Sequence, residues 1–551
     1  MLIENTFSEG DPQLPIAEGG LERYAKEQQD PIIGVKTGRI VFTENDEFWD
    51  LKSSLPIAMH LPKNTSADKF DWSLVSDVES QGSALWKFSL GYLPALISEF
   101  GAVEDVTMLL ESAWEWNCSS GWEERANWMT SLDHAIATRL RAMTMLRVLY
   151  KLAGVSEPPE VTLFAVNDAL HVARNPSLMF PINNHGAMAA IAAIHAGTLF
   201  PEVSEAVSKE GAANDFATLG WSELQRIVNE IFDEYGIANE NSPEYQRYWI
   251  SLLTPLIKFD ELIPTRQGEA AHGHGLQSLL LRITDALDAF VGEDSRLIPI
   301  GDSHARLLKS PKRERTLVSE SSGFAIYRSA GTMLTLNCGS SNYAHKHCDD
   351  TSITLQRNGV GLILDSGFFG HDWNDKRVIF TKSQTAHSGL FYDGLDDLHP
   401  GKLYWPGNQR VVGRLERMST RGFHVKCSVE IDGELALERT LQVLSPKIIE
   451  IKDFAYRVSS DLGRPVKRFV LPLGASIDIS GHRVAVSHEG VTMEIFSDVE
   501  SDSTAVRLTS GATHPELKGW VSPELNQLEP AYCLELPCEI DSVSTLRIVT
   551  D

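Results

Sequence analysis

His345 and His347 stand two apart in YAHKHCDDTSITLQRNGVGLILDSG, Asp365 closes the last apolar run of that stretch, and His387 follows in TAHSG. Zinc takes imidazole and carboxylate ligands in tetrahedral geometry, so His347, Asp365 and His387 are a candidate set of three, with a fourth position for water or another residue. His345 is then a spare imidazole. Residues two apart on a strand share a face, so the pattern predicts both imidazoles on one surface. Asn358-Gly359 between two apolar runs signals a hairpin pairing 351–357 with 360–365. Regular pairing would set Asp365 opposite Ser352, on the other face from His347, so ligation requires a bulge near Asp349 or Asp350. An isolated His-x-His reads more simply as two histidines on a solvated strand; the spaced Asp365 and His387 favour a site.

Two helical segments carry further candidates. In NPSLMFPINNHGAMAAIAAI, Asn184 and His185 precede an Ala-rich helix, where an Asn ordinarily caps free backbone N–H groups. In DEYGIANENSPEYQRYW, Ser242 is a candidate N-cap, Pro243 fits the first helical position and Tyr245 falls in the first turn, where it could simply pack.

These residues need a scaffold, and the chain has the length for one. At 551 residues it exceeds what a single core supports, so two domains are expected. Helical periodicity runs from about residue 80 to 295, clearest in SLDHAIATRLRAMTMLRVLYKLAG, and predicts a helical array or toroid. After about residue 310 the period becomes 2 and β-branched residues dominate, predicting an antiparallel sheet domain. The expected division is 1–310 and 311–551, near SPKRERTLVSESS.

Composition excludes some functions. A net charge of −26 argues against coating nucleic acid, and a polyanionic ligand would need a locally basic site. Six scattered cysteines without a CxxC pair suit reduced thiols. The opening MLIENTFSEGDPQLP has no signal-peptide pattern, and GAMAAIAAIHAGTLF is too short to span a bilayer, so a cytoplasmic protein of bacterial type is expected unless a leader was trimmed.

Taken in order, these segments resemble the heparinase II/III-like polysaccharide lyases over most of the chain. The family pattern HxHxDxxS, a strand ending in Asp and a later AHN-type histidine is matched by His345, His347, Asp349, Ser352, Asp365 and His387. Asn184-His185, Glu240-Asn241-Ser242-Pro243-x-Tyr245 and Arg139 match its helical part. Gln246 stands where relatives often have His, Cys348 occupies a usually small position, and AHSG replaces AHNT. The resemblance implies an α+β multidomain fold, an incomplete (α/α) toroid followed by an antiparallel β-sandwich domain. It also implies β-elimination on a uronic-acid polysaccharide. Asn184 and His185 would stabilise the substrate carboxylate as its charge develops, Tyr245 would be general acid and a possible base, and His185 or His345 would take the C5 proton. Arg139, Trp128, Arg247 and Arg377 are expected to bind substrate, with Trp122, Trp249, Trp373 and Trp405 as further stacking candidates. A divalent metal, zinc by ligand preference, would be structural and fix the loop carrying His345.

The expected substrates are glycosaminoglycans such as hyaluronan, chondroitin or heparan, with alginate next. A toroid glycoside hydrolase using Glu123, Glu124 or Asp133 is a rival that leaves the histidines unexplained. A non-catalytic polysaccharide-binding protein is another.

Overall fold

The computed structural model describes residues 15–16, 19–28, 38–42, 48–51, 59–61, 72, 88–119, 133–210, 215–263, 273–339, 342–394, 403–404, 409–458, 462–498, 506–514 and 516–551. The chain forms two compact units, Met1–Ile231 with Tyr248–Leu280, and Phe232–Arg247 with Leu281–Asp551.

The first unit is helical. Helix Asp133–Ala153 is buried almost all round, as its wide apolar stripe predicts. Helix Asn184–Leu199 packs against it and against Phe216–Ile231, its Ala side chains letting the backbones come close. Among the described residues, no single helix is long and apolar enough to cross a membrane. His195 sits inside this packing, its Nδ1 2.9 Å from the Tyr24 hydroxyl and its ring stacked on Phe259 at 4.0 Å. Burial, then the charge of Arg141, hold its pKa well below the ordinary imidazole value. Between that lowered value and about 6.5, unfolded chains bind a proton that folded ones refuse. Stability should therefore fall as pH drops through about 6.5, by about 1.4 kcal/mol per unit from this group. Chemical denaturation at neutral and mildly acidic pH checks this: His195→Gln should remove that part of the slope.

The second unit is mostly antiparallel sheet. Strands Arg315–Ser319, Phe324–Ser329, Thr332–Asn337, Ser352–Arg357 and Val360–Ile363 form a meander in chain order. An eight-stranded sheet runs 411–417, 424–431, 434–445, 448–455, 543–550, 491–497, 483–488 and 476–480. A four-stranded sheet places Pro465–Leu471 between Leu390–Tyr392 and Tyr532–Pro537. One core of Val, Ile, Leu and aromatic side chains gathers from all three. All six cysteines are free thiols.

The division differs from the expected break at residue 310, for reasons of hydrogen bonding. Asn241 Nδ2 donates to the carbonyls of Asn342 and Ala344, both at 2.8 Å. Ser242 Oγ meets Ser303 Oγ at 2.8 Å. Gln246 accepts from Ala238 N–H and donates to the carbonyls of Gly236 and Ile283. The buried Arg328 guanidinium reaches the carbonyls of Asp288 and Val291. These bonds tie segments 232–247 and 281–310 to the sheets, so Tyr245 belongs to the same unit as His345.

Candidate active site

The Asn358-Gly359 turn forms as read, with φ of 51° and 83°, and joins Arg357 to Val360. A bulge is present, but it lies between Leu355 and Gln356, where Leu355 faces Ile363 and Gln356 faces Gly361. That one-residue slip changes the face of everything beyond it, including the approach to Asp365.

His345 and His347 are not on a strand. Residues 342–351 form a loop between strands Thr332–Asn337 and Ser352–Arg357, and His345 has φ of 56°. A left-handed histidine is held only where its surroundings enforce it. Here Asn241, itself at φ 57°, grips the carbonyls of Asn342 and Ala344, while the Cys348 N–H donates to the Lys382 carbonyl at 2.8 Å. Gly301 completes the wedge: at φ 58°, an added Cβ would lie 2.2 Å from the Asn241 carbonyl oxygen. Gly301→Ala should therefore destabilise the fold by about 1–3 kcal/mol in chemical denaturation and loosen the His345 loop against amide exchange.

The two imidazoles meet through a residue that sequence reading passed over. Asp302 Oδ2 accepts from His345 Nδ1 at 2.9 Å, and Oδ1 from His347 Nε2 at 2.8 Å and from Lys382 Nζ. Burial alone would raise the Asp302 pKa, but the Lys382 charge and the two histidine hydrogen bonds hold it well below the usual carboxylate range. An ionised carboxylate only accepts, so His345 Nδ1 donates, and in the neutral ring the lone pair lies on Nε2. Burial and the Lys382 charge push His347 down to about 4.

Tyr245 lies against this array. Its ring stacks on His345 with centroids 3.4 Å apart and planes 21° from parallel. Helix Pro243–Leu262 starts where the sequence predicts, with the Tyr245 N–H 3.5 Å from Ser242 Oγ and the Glu244 N–H on Ser303 Oγ. Gln246 is spent on the backbone of segment 236–238 and on the Ile283 carbonyl.

Asp349 and Ser352 hold the frame. Asp349 accepts from Lys346 Nζ at 2.6 Å, and Ser352 Oγ accepts from the Ser388 N–H at 3.1 Å, fixing the residue after His387.

The expected metal trio does not assemble as a ligand set. Asp365 Oδ2 accepts from His387 Nδ1 at 2.9 Å, and its Oδ1 accepts from the Gly367 N–H. His347 turns Nε2 to Asp302. Its Nδ1 and His387 Nε2 are buried without partners, but two imidazoles fall short of the three protein ligands such a site needs. Among the described residues, no three His, Cys, Asp or Glu side chains are arranged to hold a metal ion.

In the first unit, Asn184 is buried and opens helix Asn184–Leu199, but the N-cap is Asn183, whose Oδ1 accepts from the Gly186 N–H. His185 is partly exposed, with Nδ1 3.4 Å from Asp133 Oδ1. Burial works against ionisation of Asp133, yet His185 and the neighbouring backbone bring its pKa below the usual value.

The basic candidates are mostly engaged. Arg139 is buried and spent on Asp168 in a bidentate pair at 2.6 and 2.7 Å, with a third bond to the Phe88 carbonyl, so it braces the helices. Arg247 pairs with Glu244 at 2.7 Å. Arg377 pairs with Asp375 at 2.6 Å at the surface and covers the Phe369 ring. Trp249 is core and Trp373 is exposed. Trp122, Trp128, Trp405, Glu123 and Glu124 lie outside the described residues.

Residues 311–439 match the heparinase II/III-like C-terminal domain family. No curated protein matches the chain. Solved structures do: a heparinase III at TM-score 0.64 and 14% identity, covering 99% of this chain and 86% of that one. Another heparinase III, with methylated lysines, gives 0.61 and 13%, covering 99% and 87%. A mutant heparan sulfate lyase from Pedobacter heparinus gives 0.59 and 14%, covering 97% and 88%. Residues 311–439 are thus similar to the heparinase II/III-like C-terminal domain, and the fold, a helical region followed in the chain by antiparallel sheets, is that of the heparinase III structures.

Proposed function

We propose that this protein is a carbon–oxygen lyase that cleaves uronic-acid-containing polysaccharide, of the glycosaminoglycan type, by β-elimination. The observation that carries the reading is the stacking of Tyr245 on His345, with Asp302 fixing the His345 tautomer. Elimination needs a base for the C5 proton and an acid for the departing O4. His345 offers the Nε2 lone pair as base, and the Tyr245 hydroxyl gives its proton to O4. As the C5–H bond breaks, its electrons form the C4=C5 double bond and the C4–O4 bond cleaves.

Support also comes from the relatives, one of which is named for heparan sulfate. The test is ultraviolet absorbance of the unsaturated uronate during incubation with heparan sulfate, hyaluronan, chondroitin sulfate and alginate. A rise on one glycosaminoglycan is expected. A rise on alginate alone would move the substrate class, and sugar release without absorbance would indicate a hydrolase.

A further inference from the structure

We propose that the Lys382 side chain, rather than a bound metal ion, supplies the positive charge that holds the histidine loop of this protein together. Lys382 ends helix Lys376–Lys382, and its side chain is only 4% exposed. Lysines are rarely buried this deeply without a partner for the ammonium. Its Nζ donates to Asp302 Oδ1 and lies 3.3 Å from His347 Nε2, with the rings of Phe368 and Trp373 5.0 and 5.3 Å away.

The ammonium therefore stands against the group that would otherwise invite a cation, the Asp302 carboxylate, which it shares with His347 Nε2. The remaining charges nearby are also matched within the protein. Asp365 faces His387, and Asp349 and Asp350 share Lys346 at 2.6 and 3.1 Å. A divalent ion on the open Nδ1 of His347 would add charge to the same ring whose Nε2 lies 3.3 Å from the Lys382 ammonium. Backbone geometry reinforces the arrangement, because the Lys382 carbonyl also takes the Cys348 N–H, tying helix end and loop together. Lys382 and Asp302 thus act as positioning residues for His345, one step removed from substrate.

The effect on turnover rests on the lyase reading; the structural claim does not. The full-length protein would be dialysed against EDTA, its metal content measured by mass spectrometry and its melting followed. Substoichiometric metal before and after, a melting temperature that EDTA leaves in place, and no rise on adding zinc are expected. Lys382→Met should melt lower by more than about 5 °C, because it strands the Asp302 carboxylate. One metal ion per chain whose removal lowers melting would overturn the proposal, as would Lys382→Met melting like wild type. Should that variant fail to fold, the wild-type metal and melting measurements decide alone. On any polymer the wild type cleaves, EDTA should leave kcat unchanged, and Lys382→Met should lower kcat by an order of magnitude or more at a near-constant KM. If no polymer is cleaved, the lyase reading fails while metal content and melting still judge Lys382.

Discussion

Tyr245→Phe is expected to lower the rate of unsaturated product formation by about 10²–10⁴-fold while leaving melting and KM close to wild type. The ring is 9% exposed and stacked on His345, and phenylalanine preserves both the stacking and the packing. Only the hydroxyl is removed. With no acid for O4, the leaving oxygen departs as an alkoxide, a cost that falls on the transition state and not on binding, so kcat should carry the loss. Progress curves on the active polymer, with thermal melting beside them, make the measurement. A variant retaining more than a tenth of wild-type kcat would remove Tyr245 from the acid role.

Asp302→Asn should be the most damaging single change to the second unit that leaves every candidate acid and base in place. Asp302 takes hydrogen bonds from His345, His347 and Lys382 on two oxygens inside the protein. The amide keeps one acceptor and no charge, so the Lys382 ammonium is left buried without its partner, at a cost of about 3–5 kcal/mol. Loss of the ionised carboxylate also frees His345 to place its proton on either nitrogen. By the same logic as an aspartate behind a catalytic histidine, kcat should fall on the order of 10²-fold or more at a near-constant KM. Chemical denaturation reads the first effect and steady-state kinetics the second. Wild-type stability in the variant would show that the Asp302–Lys382 pair bears no strain of burial, and wild-type kcat that His345 needs no such support.

The folded Asp302 pKa is depressed, so its stabilisation is full above the unfolded value near 4 and is lost progressively as pH falls from there through the depressed folded value. Mild acidification of the wild type should thus leave the Asp302 contribution intact.

Local signals in the sequence determined several elements: the hairpin at Asn358-Gly359, the helix beginning at Pro243 behind Ser242, the buried helix Asp133–Ala153 and the change from helical to strand period. Each depends on neighbours within a few residues, through turn dihedrals, capping hydrogen bonds or the spacing of apolar side chains. The motifs from His345 to His387 likewise pointed to the heparinase II/III-like C-terminal domain that residues 311–439 match. The site was legible only in part. His345, His347 and Tyr245 could be named, but the strand expected to align the two histidines is a loop, because Asn241 and Gly301, distant in sequence, bend it and hold His345 at positive φ. Asp302 and Lys382 carry no periodicity and no motif, so nothing local marked them. Arg139 reads as a substrate cation in sequence, yet folding spends its guanidinium on Asp168. Charge partners of this kind are chosen by long-range packing: a buried ammonium or guanidinium must find its carboxylate, and only the tertiary structure decides which one lies within reach.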